Sequence, residues 1–180
     1  MNDMKTRVLM AVMLIFTLFS CNKIDEWTHF NLEYTSSVTI PATLGIDLPI
    51  DIWTPNIPSN SEEEFESNNT AKNLIEKVVL TALSMEIKSP ETSSFDFLKT
   101  IEIYIEADGL EEKRVAWLTD IPQTGLKYIE LETSVDDLQE FIKKDNYKLR
   151  TKTITRQFIS HDTEVEIKNS FFVDAKILGI

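Results

Sequence analysis

Phe30-Asn31-Leu32-Glu33-Tyr34-Thr35-Ser36-Ser37-Val38-Thr39-Ile40 alternates without a break. Even positions carry Phe30, Leu32, Tyr34, Ser36, Val38 and Ile40. Odd positions carry Asn31, Glu33, Thr35, Ser37 and Thr39. Side chains of a strand point alternately to opposite faces, so this pattern predicts a half-buried strand. Pro41 to Gly45 supplies a turn, after which Ile46, Leu48, Ile50 and Ile52 alternate with Asp47, Pro49, Asp51 and Trp53. Pro49 has no N–H to give to a ladder, so this second strand is expected at a sheet edge.

The rest of the chain extends the β reading. Pro55 to Asn69, with its two prolines and Glu62-Glu63-Glu64, reads as a solvated loop. From Thr70 two patterns compete. Leu74, Ile75, Val78, Val79 and Ala82 suit a helix, whereas Val79, Thr81, Leu83, Met85 and Ile87 suit a strand. A helical or irregular lead-in and a strand over about 77–88, ended by Pro90, is the expectation. Ile101, Ile103 and Ile105 face one way, with Glu102, Tyr104 and Glu106 facing the other. A tight turn at Asp108-Gly109 would set Glu106 opposite Glu111, an unfavourable like-charge pair. A longer loop is predicted instead, pairing Glu106 with Arg114 and Ile103 with Trp117. A further strand is expected over 126–132, with Ile129 and Leu131 inward. Trp53 and Trp117 are expected to fill core.

One helix is predicted, over 135–144. Ser134 and Asp137 have capping-box spacing, Val135, Leu138 and Ile142 form an apolar stripe, and Lys143 and Lys144 complement the C-terminal dipole. The last segment is predicted to be a long hairpin, 147–159 with 163–178, turning at Ser160-His161-Asp162. That register sets Arg156 against Glu166, Lys148 against Asp174 and Leu149 against Val173. About eight strands with short turns predict an antiparallel β-sandwich over residues 30–180.

Composition narrows the function. The chain has 180 residues, 42% of them hydrophobic, which excludes global disorder. Its net charge of −12 speaks against nucleic acid as a partner, because phosphate affinity comes from clustered Lys and Arg. A single cysteine, Cys21, excludes an intrachain disulfide and a thiolate zinc site. Only two histidines are present. His29 and His161 lie in no zinc pattern, and His161 is read as a turn residue. Neither a nucleophile elbow nor a phosphate-cradling glycine loop occurs, and no cofactor or metal is expected. Glu62-Glu63-Glu64, Asp136-Asp137 and Asp162 with Glu164 lack calcium-loop spacing. The expectation is a non-catalytic protein.

At the N-terminus, Lys5 and Arg7 precede the twelve-residue, almost wholly apolar run Val8–Phe19. That run is too short for a bilayer span of about 20 residues and fits the core of a signal peptide. It ends at Leu18-Phe19-Ser20-Cys21, which resembles the lipobox of bacterial lipoproteins, with Phe19 bulkier than the usual occupant. The resemblance implies a signal peptide over 1–20, acyl chains such as palmitate on Cys21, and a linker over 21–29. Two or more chains anchor firmly where one does not. Asp25-Glu26, close behind the cysteine, resembles the surface-export signal of Bacteroidota lipoproteins. Trp27 could rest at the membrane interface. With Ser37-Val38-Thr39-Ile40-Pro41 and Phe171-Phe172-Val173-Asp174-Ala175-Lys176 as weaker echoes, the chain resembles the small lipoproteins of Bacteroidota. The likeness implies an outer-membrane anchored β-sandwich, facing the periplasm or the cell surface, and nothing catalytic.

The candidate binding face is the outward side of the middle strands. Tyr104 lies between Glu102 and Glu106, and Tyr128 stands two residues before Glu130. If the two strands neighbour each other, two tyrosines stand among these carboxylates, a surface suited to a glycan or an envelope protein. A lipid-anchored binding module is the leading expectation. A structural envelope protein and a carboxylate-based hydrolase are the alternatives, the latter needing two converging acids.

Overall fold

The computed structural model describes residues 29–42 and 49–176. The expected signal peptide, Cys21, Trp27, Ile46, Leu48 and Leu178 lie outside the described residues. Ten strands form two antiparallel sheets: β1 (His29–Ile40), β2 (Pro49–Trp53), β3 (Ile57–Pro58), β4 (Ile75–Ser89), β5 (Leu98–Glu106), β6 (Lys113–Thr119), β7 (Tyr128–Glu130), β8 (Glu132–Thr133), β9 (Asn146–Thr155) and β10 (Thr163–Ala175). One sheet has the order β1-β10-β4-β7. The other has the order β2-β9-β5-β6-β8, with β3 also paired to β9.

Leaving aside the two-residue β3 and β8, the pairing is nested. The first strand pairs with the last (β1 with β10), β2 with β9, β4 with β7 and β5 with β6. The β10–β4 and β9–β5 pairings then complete the two sheets. The chain is in effect one long double strand rolled up, the topology of a jelly roll. Inward side chains of both layers make one core: Ile101, Ile103 and Ile105 from β5, Val165, Ile167, Phe171 and Val173 from β10, and Leu32, Val38 and Ile40 from β1. Each such side chain contributes roughly 1.5–3 kcal/mol by leaving water. The expected edge position of β2 is observed. No helix among the described residues is long and apolar enough to cross a membrane.

The predicted C-terminal hairpin is not formed. β9 and β10 belong to opposite sheets, joined by a seven-residue crossover that buries Ile159. Nested pairing puts β9 and β10 in different layers, each beside a strand from far earlier in the chain. Lys148 therefore lies opposite Glu106, and Glu166 opposite Ser37 and Glu86. The strand predicted over 126–132 is likewise two short strands in opposite sheets. Ile129 and Leu131 are buried as expected, and Leu131 N–H still donates to Leu83 O at 3.0 Å before the chain steps across to β8.

The predicted loop 55–69 contains a helix, α1 (Ser61–Ser67), whose Phe65 is fully buried edge-on to Phe30. Glu62, Glu63 and Glu64 occupy its first turn, where the helix dipole favours acids. The predicted helix 135–144 shortens to α2 (Gln139–Ile142). Val135 is 86% exposed, so only Leu138 and Ile142 of its stripe are buried. The Asp137 carboxylate accepts from Val78 N–H at 3.1 Å and Gln139 N–H at 3.0 Å, holding 134–138 to β4 as irregular chain.

β4 resolves the competition between patterns. A 3₁₀ turn at Lys72–Leu74 leads into it, and Glu76, Thr81 and Lys88 are extra residues opposite β10. Each bulge flips the inward set, so Leu83, Met85 and Ile87 are buried after Thr81, and Val78 and Leu80 before it. Val79, expected inward, is only half-buried.

Candidate functional site

The loop between β5 and β6 is long, as expected, but the register differs. Ile103 faces Ala116 rather than Trp117, and a bulge then sets Tyr104 opposite Arg114 and Ile105 opposite Lys113. Trp117 thereby comes opposite Glu102 on the outer face. The long loop carries Glu112 back over the sheet to Arg150 on β9.

Two cross-strand rows result on the outside of the six-stranded sheet. One runs Trp53, Arg150, Tyr104, Arg114 across β2, β9, β5 and β6. The next runs Asp51, Lys152, Glu102, Trp117, Glu132 and ends on β8. Arg150 is the centre of the first. Its Nε and Nη2 donate to the two carboxylate oxygens of Glu112 at 2.8 and 2.7 Å, and its Nη1 donates to Asp51 Oδ1 at 2.6 Å. Its guanidinium carbon stands 4.3 Å from the centre of the Tyr104 ring. Only 14% of the side chain is exposed. The hydrogen bonds Arg150 donates to Glu112, against the opposing effect of burial, and the one it donates to Asp51 push its pKa further up, so it is permanently charged.

Between the two rows the pairing of a guanidinium with a carboxylate and a ring recurs. Arg114 donates to Glu102 Oε1 at 2.9 Å and stacks 4.7 Å from the Trp117 ring centre. Trp117 Nε1 donates to Glu132 Oε2 at 2.9 Å, and Tyr104 OH donates to Glu102 Oε2 at 3.0 Å. Burial opposes the charge of Glu102. The hydrogen bonds from Arg114 and Tyr104, with the charges of Arg114 and Lys152, outweigh it and hold the carboxyl below the ordinary range. Burial, then the Glu102 carboxylate, pushes the Tyr104 phenol up.

The predicted platform is split. Tyr104, Glu102 and Glu106 lie on the outer face of the six-stranded sheet. Tyr128 and Glu130 lie on the outside of the four-stranded one, because β7 pairs with β4. Tyr128 OH donates to Glu130 Oε1 at 2.7 Å, which pushes its phenol up. The two tyrosines do not share a surface. Nor do Trp53 and Trp117 fill core: Trp53 is 51% exposed and Trp117 half-buried on the outer face. Sequence reasoning missed Arg150, Arg114, Glu112 and both tryptophans as members of the site. The signal for Trp53 was present, since alternation puts it with Pro49 and Asp51 on the side away from Ile50 and Ile52.

Elsewhere the surface is less organised. A polar cleft of about 550 Å³ lies between the β5–β6 loop and the start of β9, lined by Glu106, Asp108, Lys144, Asp145 and Lys148 among others. His161 is exposed in the crossover, its Nδ1 2.9 Å from Ser160 Oγ, and Asp162 accepts from Ala42 N–H at 2.8 Å. Among the described residues, no three His, Asp or Glu side chains converge as a metal set.

No protein-family model and no curated protein matches the chain. Solved structures to which it is similar include the cyanophage Pam1 capsid asymmetric unit, at 10% identity over 81% of this chain and 86% of that one, TM-score 0.38. The decameric BFDV capsid protein follows at 9% identity, 82% and 99% coverage and TM-score 0.37. A carbohydrate-binding module of the β-sandwich superfamily is similar at 10% identity, 82% and 55% coverage and TM-score 0.31. The described chain is a β-sandwich whose most ordered surface array is the outer face of its six-stranded sheet.

Proposed function

We propose that the protein is a lipid-anchored, non-catalytic binding module of the outer membrane, attached through Cys21 and binding through the outer face of its six-stranded sheet. The observation that carries the reading is the ordered row of Trp53, Arg150, Tyr104 and Arg114, in which a half-exposed tryptophan sits at the end of a pre-positioned set of planar groups. Rigid aromatic groups held by neighbours lose little freedom on binding, which is how a surface gains affinity without a deep pocket.

The test places a photo-crosslinking residue at Lys152 on this face or at Thr35 on the outside of the four-stranded sheet, in cells expressing the full chain. A discrete envelope adduct from Lys152 alone is expected. Equal adducts from both positions, or none from Lys152, would overturn the assignment of the face. For the anchor, intact mass of the membrane-bound protein should show acyl mass that Cys21→Ala loses together with membrane attachment. An unmodified wild-type protein would remove the anchor from the proposal.

A further inference from the structure

Resting on that binding face, we infer that its ligand is an uncharged glycan chain laid across β2, β9, β5 and β6, with Trp53 as the main stacking platform. Charge is the first argument. The chain carries a net −12, yet on this face both guanidiniums are committed to carboxylates, Arg150 to Glu112 and Asp51 and Arg114 to Glu102. An anionic ligand would find a cation outside these pairs, Lys152, set between the Asp51 and Glu102 positions and so among carboxylates that repel it. A cationic one would have to compete with guanidiniums already seated on those carboxylates, Arg150 in fork geometry on Glu112. Hydroxyl groups meet neither obstacle. A guanidinium has five N–H donors and a carboxylate about four acceptor sites, so the paired groups keep spare donors and acceptors. A polyhydroxylated neutral ligand can use these and leave every ion pair intact.

The distribution of apolar surface is the second argument. Trp53 is 51% exposed and enters none of the ring or cation stacks formed among the described residues. Tyr104 and Trp117 each have Arg stacked on them. Two strand spacings, about 9.5 Å, separate Trp53 from Tyr104 along the row. Trp53 is thus the uncapped platform of the row, and polar groups separate it from the rings beyond it. The centre of a protein–protein interface is instead depleted of charge and largely apolar. Rings spaced among hydrogen-bonding groups match a chain of sugars, whose apolar C–H faces and hydroxyl edges repeat at intervals.

The test is calorimetric titration of the full chain in detergent with hexasaccharides of β-1,4-glucose, β-1,4-mannose, β-1,4-xylose and α-1,4-glucose, and with hexagalacturonate as the anionic comparison. At least one neutral hexamer should bind, with affinity changed less than twofold between low and high salt. Trp53→Ala should weaken it at least tenfold and Trp53→Phe less, with circular dichroism unchanged. Binding of no neutral hexamer, preference for hexagalacturonate, or an undiminished Trp53→Ala variant would overturn the inference. A protein adduct from Lys152 that Trp53→Ala abolishes, without any neutral glycan binding, would leave the binding face standing and remove only the glycan. Silence in both experiments removes both.

Discussion

On the outside of the four-stranded sheet β1 presents His29, Asn31, Glu33, Thr35, Ser37 and Thr39, and the cations paired with carboxylates beside its second half are lysines. Lys88 reaches Glu86 at 2.6 Å and Glu166 at 3.1 Å, and Lys168 reaches Glu166 at 3.4 Å. On the outside of the six-stranded sheet two arginines are paired with carboxylates and stacked on rings, Arg150 forked onto Glu112 against Tyr104 and Arg114 singly bonded to Glu102 against Trp117. Both faces follow from the same alternation and hold opposite charges side by side. A lysine is a hydrated point charge on a flexible stem, whereas an arginine fixes two partners and a plane at once. The difference shows that order on a sheet surface comes from the shape of the charged group, not from the count of ion pairs.

Arg150 breaks the contrast most directly. Arg150→Ala removes the bonds to Glu112 and Asp51 and the stack on Tyr104, and should lower stability by about 2–3 kcal/mol in urea denaturation, the scale of charged hydrogen bonds. Arg150→Lys should recover less than half of that, because the fork is lost. Lys88→Ala on the other sheet should leave the urea midpoint unchanged. Equal effects on the two faces would end the distinction.

Trp117→Phe is the next test. It keeps the ring under Arg114 and loses the bond to Glu132, so a loss of roughly 1 kcal/mol is expected by the same measurement. An unchanged midpoint would mean the row is not coupled through Glu132.

Acid should sharpen the comparison more gently. The folded Glu102 carboxyl is held below its ordinary value of 4.5. The stability it contributes is therefore fully present above that value and is lost as pH falls through the lowered one. Glu102→Gln should accordingly differ most from wild type near neutrality, and the gap should narrow on acidification below about 4.5. A gap that widens would reverse the sign of the shift. The smallest effect is expected from Tyr128→Phe. It removes an exposed bond to Glu130 on the other sheet and should leave ligand binding and the crosslinking pattern of Lys152 unaltered.

How much of this was legible depends on what each residue had to know. Facing is local, so the inward set of Phe30–Ile40 and of Ile101, Ile103 and Ile105 could be read directly, as could the edge position that Pro49 imposes on β2. Partnership is not local. Lys148 against Asp174 matches opposite charges, and so does the Lys148–Glu106 pairing that forms, because two alternating strands agree in many registers. Nested pairing then defeats the hairpin assumption everywhere except β5–β6. Phe65 gave no signal because one buried ring in a seven-residue helix makes no period. The two tryptophans were misplaced by residue type, although the position of Trp53 in its own alternation pointed outward. The site was half legible: Tyr104 with Glu102 came through, whereas Arg150 and Glu112 meet only because a loop between other strands reaches β9.

The pairing of β1 with β10 also has a consequence for the order of events in synthesis. A ribosome delivers β1 early and β10, its sheet neighbour among the described residues, more than a hundred residues later. Until then β1 presents an unsatisfied edge and an apolar face. The β5–β6 hairpin, the one local pair, can close early, but the first sheet cannot be assembled before β10 arrives. Folding that waits on distant contacts is slow. A chain of this topology stays open, and in need of protection, until its last strand is out.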